Sequence, residues 1–259
     1  MFQTIRLRKK LLIWLAAILL AAAVLILLPG TGAVFPVSLS ADGGPAVSEK
    51  AAEEDRVVYL TFDDGPSKNT AAILDVLKEE GVPATFFVIG AETERGKALY
   101  QRILDEGHAL GLHTYSHEYG KIYASADAYL DDLAKLSAHL RDTVGVQPTI
   151  FRFPGGSNNA TASPAVLKEI KERAAKMGLH WFDWNALGKD DRSWTAAPED
   201  ILQNIVRTAG DKKRIVTLMH DDGLRTTAAE AVRLVIAHYR EKGYRFDKLT
   251  ADTEPVRFK

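Results

Sequence analysis

The chain has 259 residues, 46% hydrophobic and 26% charged, a globular composition that excludes a disordered, collagen-like or coiled-coil protein. Its 33 basic and 34 acidic side chains create no positive field for phosphates, so no nucleic acid partner is expected. With no cysteine, disulfide frameworks, Cys-ligated zinc, iron–sulfur clusters and thiol nucleophiles are excluded, and any metal must rest on His and carboxylates.

The first element is an apolar run from Leu11 to Leu28 with no polar face. As a helix it would span about 27 Å, close to the hydrocarbon thickness of a bilayer. Arg6, Arg8, Lys9 and Lys10 precede it, and the first thirty residues carry no acid, so the short N-terminal end is expected to stay cytoplasmic. Residues 1–30 therefore read as an uncleaved signal-anchor that places the rest outside a single-pass cell membrane. Cleavage near Ser38-Leu39-Ser40-Ala41 would instead release a secreted protein. Residues 31–55, rich in Gly, Pro, Ala, Ser and acids without periodicity, read as a flexible linker. Setting the four N-terminal basic residues aside leaves 29 basic side chains against 34 acidic, a mildly acidic outer part.

From residue 56 to 259 one domain is expected, in which short β-rich runs alternate with helix-length amphipathic segments. Strands are predicted at 57–62, 84–90, 108–114, 149–153, 180–185, 214–220 and 244–249. Helices are predicted at 70–80, 93–106, 126–143, 164–177, 198–209 and 227–242, several of them opening after Ser, Thr or Pro. Strict alternation implies right-handed βα units and a parallel sheet, either open or closed. The residues able to do chemistry fall at or just past the C-terminal ends of these runs: Asp63, Asp64, His113, His117, Arg152, Asp183, Asp190 and His220. In a closed barrel such ends converge on one mouth, whereas an open sheet would spread them along a crevice. The fold class predicted is therefore α/β, a distorted (β/α) barrel with about seven parallel strands, preceded by a transmembrane helix.

Thr61-Phe62-Asp63-Asp64-Gly65-Pro66-Ser67 closes the first strand with adjacent carboxylates, one of which can ligate a metal while the other faces a reacting water. A polar turn with a helix cap explains the same composition without function. His113 and His117, four apart, would align on one side of a helical turn and complete a two-His, one-carboxylate set with Asp64. By themselves they are equally the chance product of a surface helix. Arg152-Phe153-Pro154-Gly155-Gly156-Ser157 offers a cation for a carboxylate and bare amides for a developing oxyanion, or simply a turn with a snorkelling arginine. His220 can act as general acid if a buried carboxylate holds its other nitrogen, Asp190 being the candidate; a satisfied core histidine is the plainer alternative. His108, His139, His180 and His238 read as structural or surface residues.

Taken together and in order, TFDDGPS, HTYSH, RFPGG, DWNALGKD and LMHD resemble the five motifs of the polysaccharide deacetylase family of carbohydrate esterases, over residues 56–250. The flanking sequences VYLTFDDGP, PATFFVIG and IVTLMH resemble its bacterial cell-envelope branch, that of peptidoglycan N-acetylglucosamine deacetylases. The resemblance implies a distorted barrel and roles residue by residue. Asp63 resembles the catalytic base, Arg152 the arginine paired with it, His220 the general acid and Asp190 the carboxylate that tunes it. Asp64, His113 and His117 resemble the ligands of a divalent metal, usually zinc, with Co2+, Ni2+ or Mn2+ as alternatives. Leu218, Pro154 and Gly155 resemble substrate-binding positions. Two departures stand out. Gly155 replaces an aromatic residue common in the family, which predicts a wider cleft there, and Asp190-Asp191 replaces an acid-Trp pair, which leaves Asp191 as a second candidate orienter.

The activity implied is metal-dependent hydrolysis of N-acetyl groups from a cell-wall glycan, with peptidoglycan as the expected partner and no protein partner evident. Alternatives are an O-acetyl esterase, a deacetylase of chitin oligomers, or a degenerate glycan-binding protein. Phosphoryl transfer is disfavoured by the lack of a Gly-rich phosphate loop with a lysine.

Overall fold

The computed structural model describes residues 55–192 and 196–259. The span expected at 11–28 and the linker up to residue 54 lie outside the described residues. Among the described residues no helix is long and apolar enough to cross a membrane.

All seven predicted strand runs form, but two are interrupted, giving nine strands among the described residues where about seven were predicted. The run at 57–62 divides into β1 (Val57–Tyr59) and β2 (Thr61–Asp63). Between them Thr217 intervenes: its hydroxyl accepts from the Thr61 amide at 3.1 Å, in place of a ladder carbonyl. β3 (Thr85–Val88), β4 (Ala109–Leu112) and β5 (Ile150–Phe151) follow as predicted, though shorter. The run at 180–185 stops after β6 (His180–Trp181) and resumes as β7 (Ala186–Leu187). Asn185 imitates a strand backbone at the break, accepting from the Val216 amide at 2.9 Å and donating to the Arg214 carbonyl at 3.0 Å. β8 (Arg214–His220) and β9 (Arg245–Asp247) complete the set.

Every pairing is parallel. β2, β3, β4, β5 and β6 pair in succession, β7 continues the β6 run onto β8, and β8 returns to β2. The pairings thus form an irregular circuit, with β1 added along the N-terminal half of β8 and β9 beyond β1. This barrel-like arrangement brings the strands' C-terminal ends together.

The helices form where the apolar periodicity places them: α1 (Thr70–Glu80), α2 (Glu94–Asp105), α4 (Ala126–Val144), α5 (Pro164–Lys176), α6 (Pro198–Ala209) and α7 (Ala228–Glu241). Three begin at hydroxyl caps, Thr93, Ser125 and Ser163, each accepting an amide from the first turn. A short helix, α3 (Tyr119–Ile122), lies in the connection after β4 and was not predicted, being a single turn without a periodic signature. On the helix-covered side of the sheet Phe62 and Phe86 stack with centroids 5.0 Å apart, in one core with the buried helix faces.

At one point the packing leaves no tolerance. Gly111 of β4 is the register partner of Phe87 of β3, and a Cβ at Gly111 would lie 2.5 Å from the Phe87 ring. The ring also packs against the Arg152 guanidinium, 4.3 Å from its centroid, within a buried cluster that includes Ile150 and Phe182. Gly111→Ala must therefore displace the buried Phe87 ring, and we expect it to destabilise the protein by about 1–3 kcal/mol, as overpacking does. Urea unfolding checks this, and an unchanged midpoint would show that the ring has room to move.

Candidate active site

Asp63 is the last residue of β2, and Asp64 follows it at φ 73°, a left-handed conformation that a non-glycine residue adopts only when its surroundings fix it. Both carboxylates reach His113: Asp63 Oδ2 lies 3.7 Å and Asp64 Oδ1 3.4 Å from its Nε2. The other oxygen of Asp63 accepts from Arg152 Nη1 at 2.8 Å. The adjacent acids are thus divided between an arginine and a pair of histidines.

His113 and His117 are not on a helical turn, contrary to the expectation from their spacing. They stand on a loop in which Thr114 (φ 70°) and His117 (φ 53°) are both left-handed, and α3 begins only at Tyr119. Asp132, reaching over from α4, shapes this loop by accepting from the amides of Tyr115 and Ser116, the latter at 3.0 Å. The two imidazoles end 5.3 Å apart between centroids, with His117 Nε2 3.1 Å from Asp64 Oδ1.

Whether these three residues suit a cation can be judged from their protons. His113 Nδ1 lies 2.9 Å from the carbonyl of Arg152, which can only accept, so Nδ1 carries the proton and Nε2 presents a lone pair. Burial lowers the pKa of His113, outweighing the charges of Asp63 and Asp64, and so favours the neutral ring. Asp64 Oδ1 is buried and makes no hydrogen bond. Three donor atoms of Asp64, His113 and His117 therefore lie within 4.8 Å of one another with lone pairs facing lone pairs. That arrangement fits a divalent cation, with coordination positions left for water and substrate.

Arg152, just past β5, is fully buried, so the snorkelling alternative does not hold. Its guanidinium donates to the Phe182 carbonyl at 3.0 Å, to Thr61 Oγ1 at 2.6 Å, to Asp63 and to the Asp183 carbonyl at 3.1 Å. Past it, Pro154 is buried, Gly155 (φ 75°) is exposed, and Gly156 follows at φ 89°. Asp183 anchors this loop, accepting from the Ser157 amide at 2.8 Å, the Ser157 hydroxyl at 2.6 Å and the Phe258 amide at 2.8 Å.

The space above Gly155 has an aromatic wall. A Cβ there would meet the Tyr119 hydroxyl at 3.2 Å and a Tyr119 ring carbon at 3.3 Å. The wider cleft expected at Gly155 is therefore corrected: an aromatic side chain from another element bounds it on one side.

His220 ends β8 and is the register partner of Asp63. Its Nδ1 lies 2.9 Å from Asp190 Oδ1, and its amide donates to Asp190 Oδ2 at 2.8 Å. Asp190 is buried and begins a single 3-10 turn, whereas Asp191 is exposed, so the carboxylate on His220 is that of Asp190. Burial pulls the pKa of His220 down, but the hydrogen bond to Asp190 and the charges of Asp190, Asp63 and Asp64 outweigh it and raise the value to about 9. Leu218, two residues earlier in β8 and buried, shares the face of His220.

Asp221 was not anticipated from the sequence. It is fully buried and accepts from Ser67 Oγ at 2.9 Å and Thr70 Oγ1 at 2.5 Å, and its amide donates to the Asp63 carbonyl at 2.7 Å. It clasps the loop after β2 to the end of β8. Its signal in the sequence was an acid next to His220; Asp132 gave none, standing among the ordinary charges of an amphipathic helix.

With this geometry established, the comparisons with known proteins carry specific weight. The sequence profile of polysaccharide deacetylases matches residues 50–170. A peptidoglycan-N-acetylglucosamine deacetylase of Bacillus cereus is 32% identical over 214 residues, 80% of this chain and 74% of that protein. The chain belongs to the polysaccharide deacetylase family. Among solved structures, the catalytic domain of peptidoglycan N-acetylglucosamine deacetylase from Eubacterium rectale is similar with a TM-score of 0.74 at 31% identity, over 79% of this chain and 93% of that one. The polysaccharide deacetylase Bc1974 from Bacillus cereus aligns with a TM-score of 0.70 at 32% identity, over 78% and 97%. Membership of this family makes the chain a hydrolytic deacetylase.

The Arg152–Asp63 pair is buried on both sides, so removing one partner strands the other charge. Arg152→Ala is expected to lose about 3–5 kcal/mol of stability. A loss below about 1 kcal/mol by urea unfolding would mean that water reaches Asp63.

Proposed function

We propose that the protein removes N-acetyl groups from cell-wall glycan of the peptidoglycan type, releasing acetate and leaving a free amine, with a divalent cation, zinc first, held by Asp64, His113 and His117. The observation that carries this reading is the juxtaposition at one mouth of that three-donor set, the Arg152-bound Asp63 and the Asp190-bound His220. The names of the relatives, which describe deacetylases of peptidoglycan N-acetylglucosamine, supply the substrate class.

A divalent cation at this position supplies acidification of a water and polarisation of an acyl carbonyl, the two effects that amide hydrolysis needs. Asp63 acts as base. Its Oδ1 is occupied by Arg152, which leaves Oδ2 to accept the proton of the attacking water. Arg152 holds the Asp63 carboxylate in its orientation. His220 acts as general acid: Asp190 holds Nδ1, so the proton that can be donated is on Nε2, and the raised pKa keeps it there at neutral pH. Its destination is the leaving amine nitrogen. The Gly155 amide and Leu218 bound the space for the acyl group, the amide facing the oxygen on which charge develops. We further propose that residues 1–30 anchor the protein, with the catalytic domain outside the cell membrane, which would hold this mouth near the wall.

The first test is acetate release by the full-length chain from peptidoglycan and from an N-acetylglucosamine oligomer, with and without chelator and re-added Zn2+. Chelator-sensitive release is expected; release that chelator leaves intact would sink the metal assignment. Asp63→Asn should retain the metal and lose turnover by at least about a hundredfold, the scale of one acid–base group. Because His220 must be charged to act, kcat should fall as pH rises through a value at or below about 9. Asp190→Asn removes the dominant raising contacts and leaves burial, so the alkaline fall should move down by more than about one pH unit. An unmoved pH profile would take Asp190 out of the mechanism.

A further inference from the structure

Tyr119 opens α3, two residues beyond His117, and its ring stands perpendicular to that imidazole with centroids 5.3 Å apart. Its hydroxyl and one ring carbon lie against Gly155, 3.2 and 3.3 Å from where a Cβ would be. Gly155 is exposed, so this contact is at the open side of the site.

The ring is supported from behind. Tyr119 packs on Tyr123 at 5.8 Å, Tyr123 stacks on Tyr129 at 5.5 Å, and Tyr129 stacks on Phe153 at 5.2 Å. This row of rings ties α3 to the strand end that bears Arg152 and Pro154. Tyr123 commits its hydroxyl to the Pro154 carbonyl at 2.7 Å. The Tyr119 hydroxyl makes no hydrogen bond to the described residues, and the residue is half-buried, so ring and hydroxyl both remain for a ligand. A rigid aromatic with an apolar face and a polar tip matches a pyranose, whose C–H face packs on a ring while its hydroxyl and acetamido groups seek donors.

We propose that Tyr119 is a substrate-contacting residue that walls the cleft above Gly155 and holds an N-acetylated sugar there by its ring and by a hydrogen bond from its hydroxyl. The proposal rests on the deacetylase reading above. It places the aromatic contact on the segment after the second histidine rather than on the Pro154-Gly155 loop.

The test uses the full-length chain, Tyr119→Phe and Tyr119→Ala, with an N-acetylglucosamine tetramer as probe. kcat and KM for acetate release are measured in the zinc-loaded state, and tetramer binding is titrated in the chelated state by intrinsic fluorescence. Metal content and thermal midpoint are recorded for each variant. Tyr119→Phe should lower kcat/KM by about tenfold, the worth of one hydrogen bond, and Tyr119→Ala by about a hundredfold once the ring contact is also gone. Metal content and midpoint should match the parent. If both variants stay within twofold of the parent, or if their losses follow loss of metal, the proposal is overturned. A parent that binds the tetramer without releasing acetate, and a Tyr119→Ala that binds it more weakly, would remove the deacetylase reading and keep the Tyr119 contact. A parent that neither binds nor cleaves it overturns both.

Discussion

A fully buried guanidinium has to be satisfied by the protein alone, since an unpaired charge in the interior costs several kcal/mol. Around Arg152 that requirement organises the barrel. Its donors go to Thr61 and Asp63 on β2, and to the carbonyls of Phe182 and Asp183 at the gap between β6 and β7. Those two carbonyls are free to accept because the strand is broken there. The carbonyl of Arg152 itself receives the Nδ1 proton of His113, and Phe87 packs against its guanidinium. One side chain thus fixes Asp63, the orientation of a metal-ligand candidate and the irregular closure of the sheet.

The same economy appears in the loops. Three non-glycine residues beside the candidate metal donors, or among them, have left-handed backbone: Asp64, Thr114 and His117. Conformations of this kind cost on the order of 1–3 kcal/mol each and persist only where other contacts over-determine them. Asp132 and Asp221 provide those contacts, one gripping the amides of the histidine loop and the other tying hydroxyls of the aspartate loop to β8. Negative charge is used structurally just outside the ring of residues that face the reaction.

Much of this was legible in the sequence because strand ends and chemistry-bearing residues coincide. Alternation of β-rich and amphipathic runs located every strand but β7, which lies just past the run predicted at 180–185, and the residues at their C-terminal ends, Asp63, Asp64, His113, Arg152 and His220, are those the fold brings together. What escaped has physical reasons. The breaks at Leu60 and at 182–185 arise when side chains of Thr217 and Asn185 replace ladder groups, a substitution that hydrophobic period cannot register. The spacing of His113 and His117 suits a helical turn equally well, and only the distant Asp132 decides for a loop. Tyr119 over Gly155 is a contact between residues 36 positions apart, so neither position announces the other.

Asp63 and His220 occupy opposite positions on adjacent parallel strands, β2 and β8. Their separation is therefore set by the spacing of neighbouring strands, about 4.8 Å at the backbone, and not by the conformation of any loop. Insertions or exchanges in the connections that carry Tyr119 or Gly155 leave that spacing untouched. Such a design divides the molecule into a part with a fixed tolerance, the backbone ladder between Asp63 and His220, and a part whose loops can vary without disturbing it. Changes in the connections can then reshape the mouth while the two strand-end residues keep their spacing.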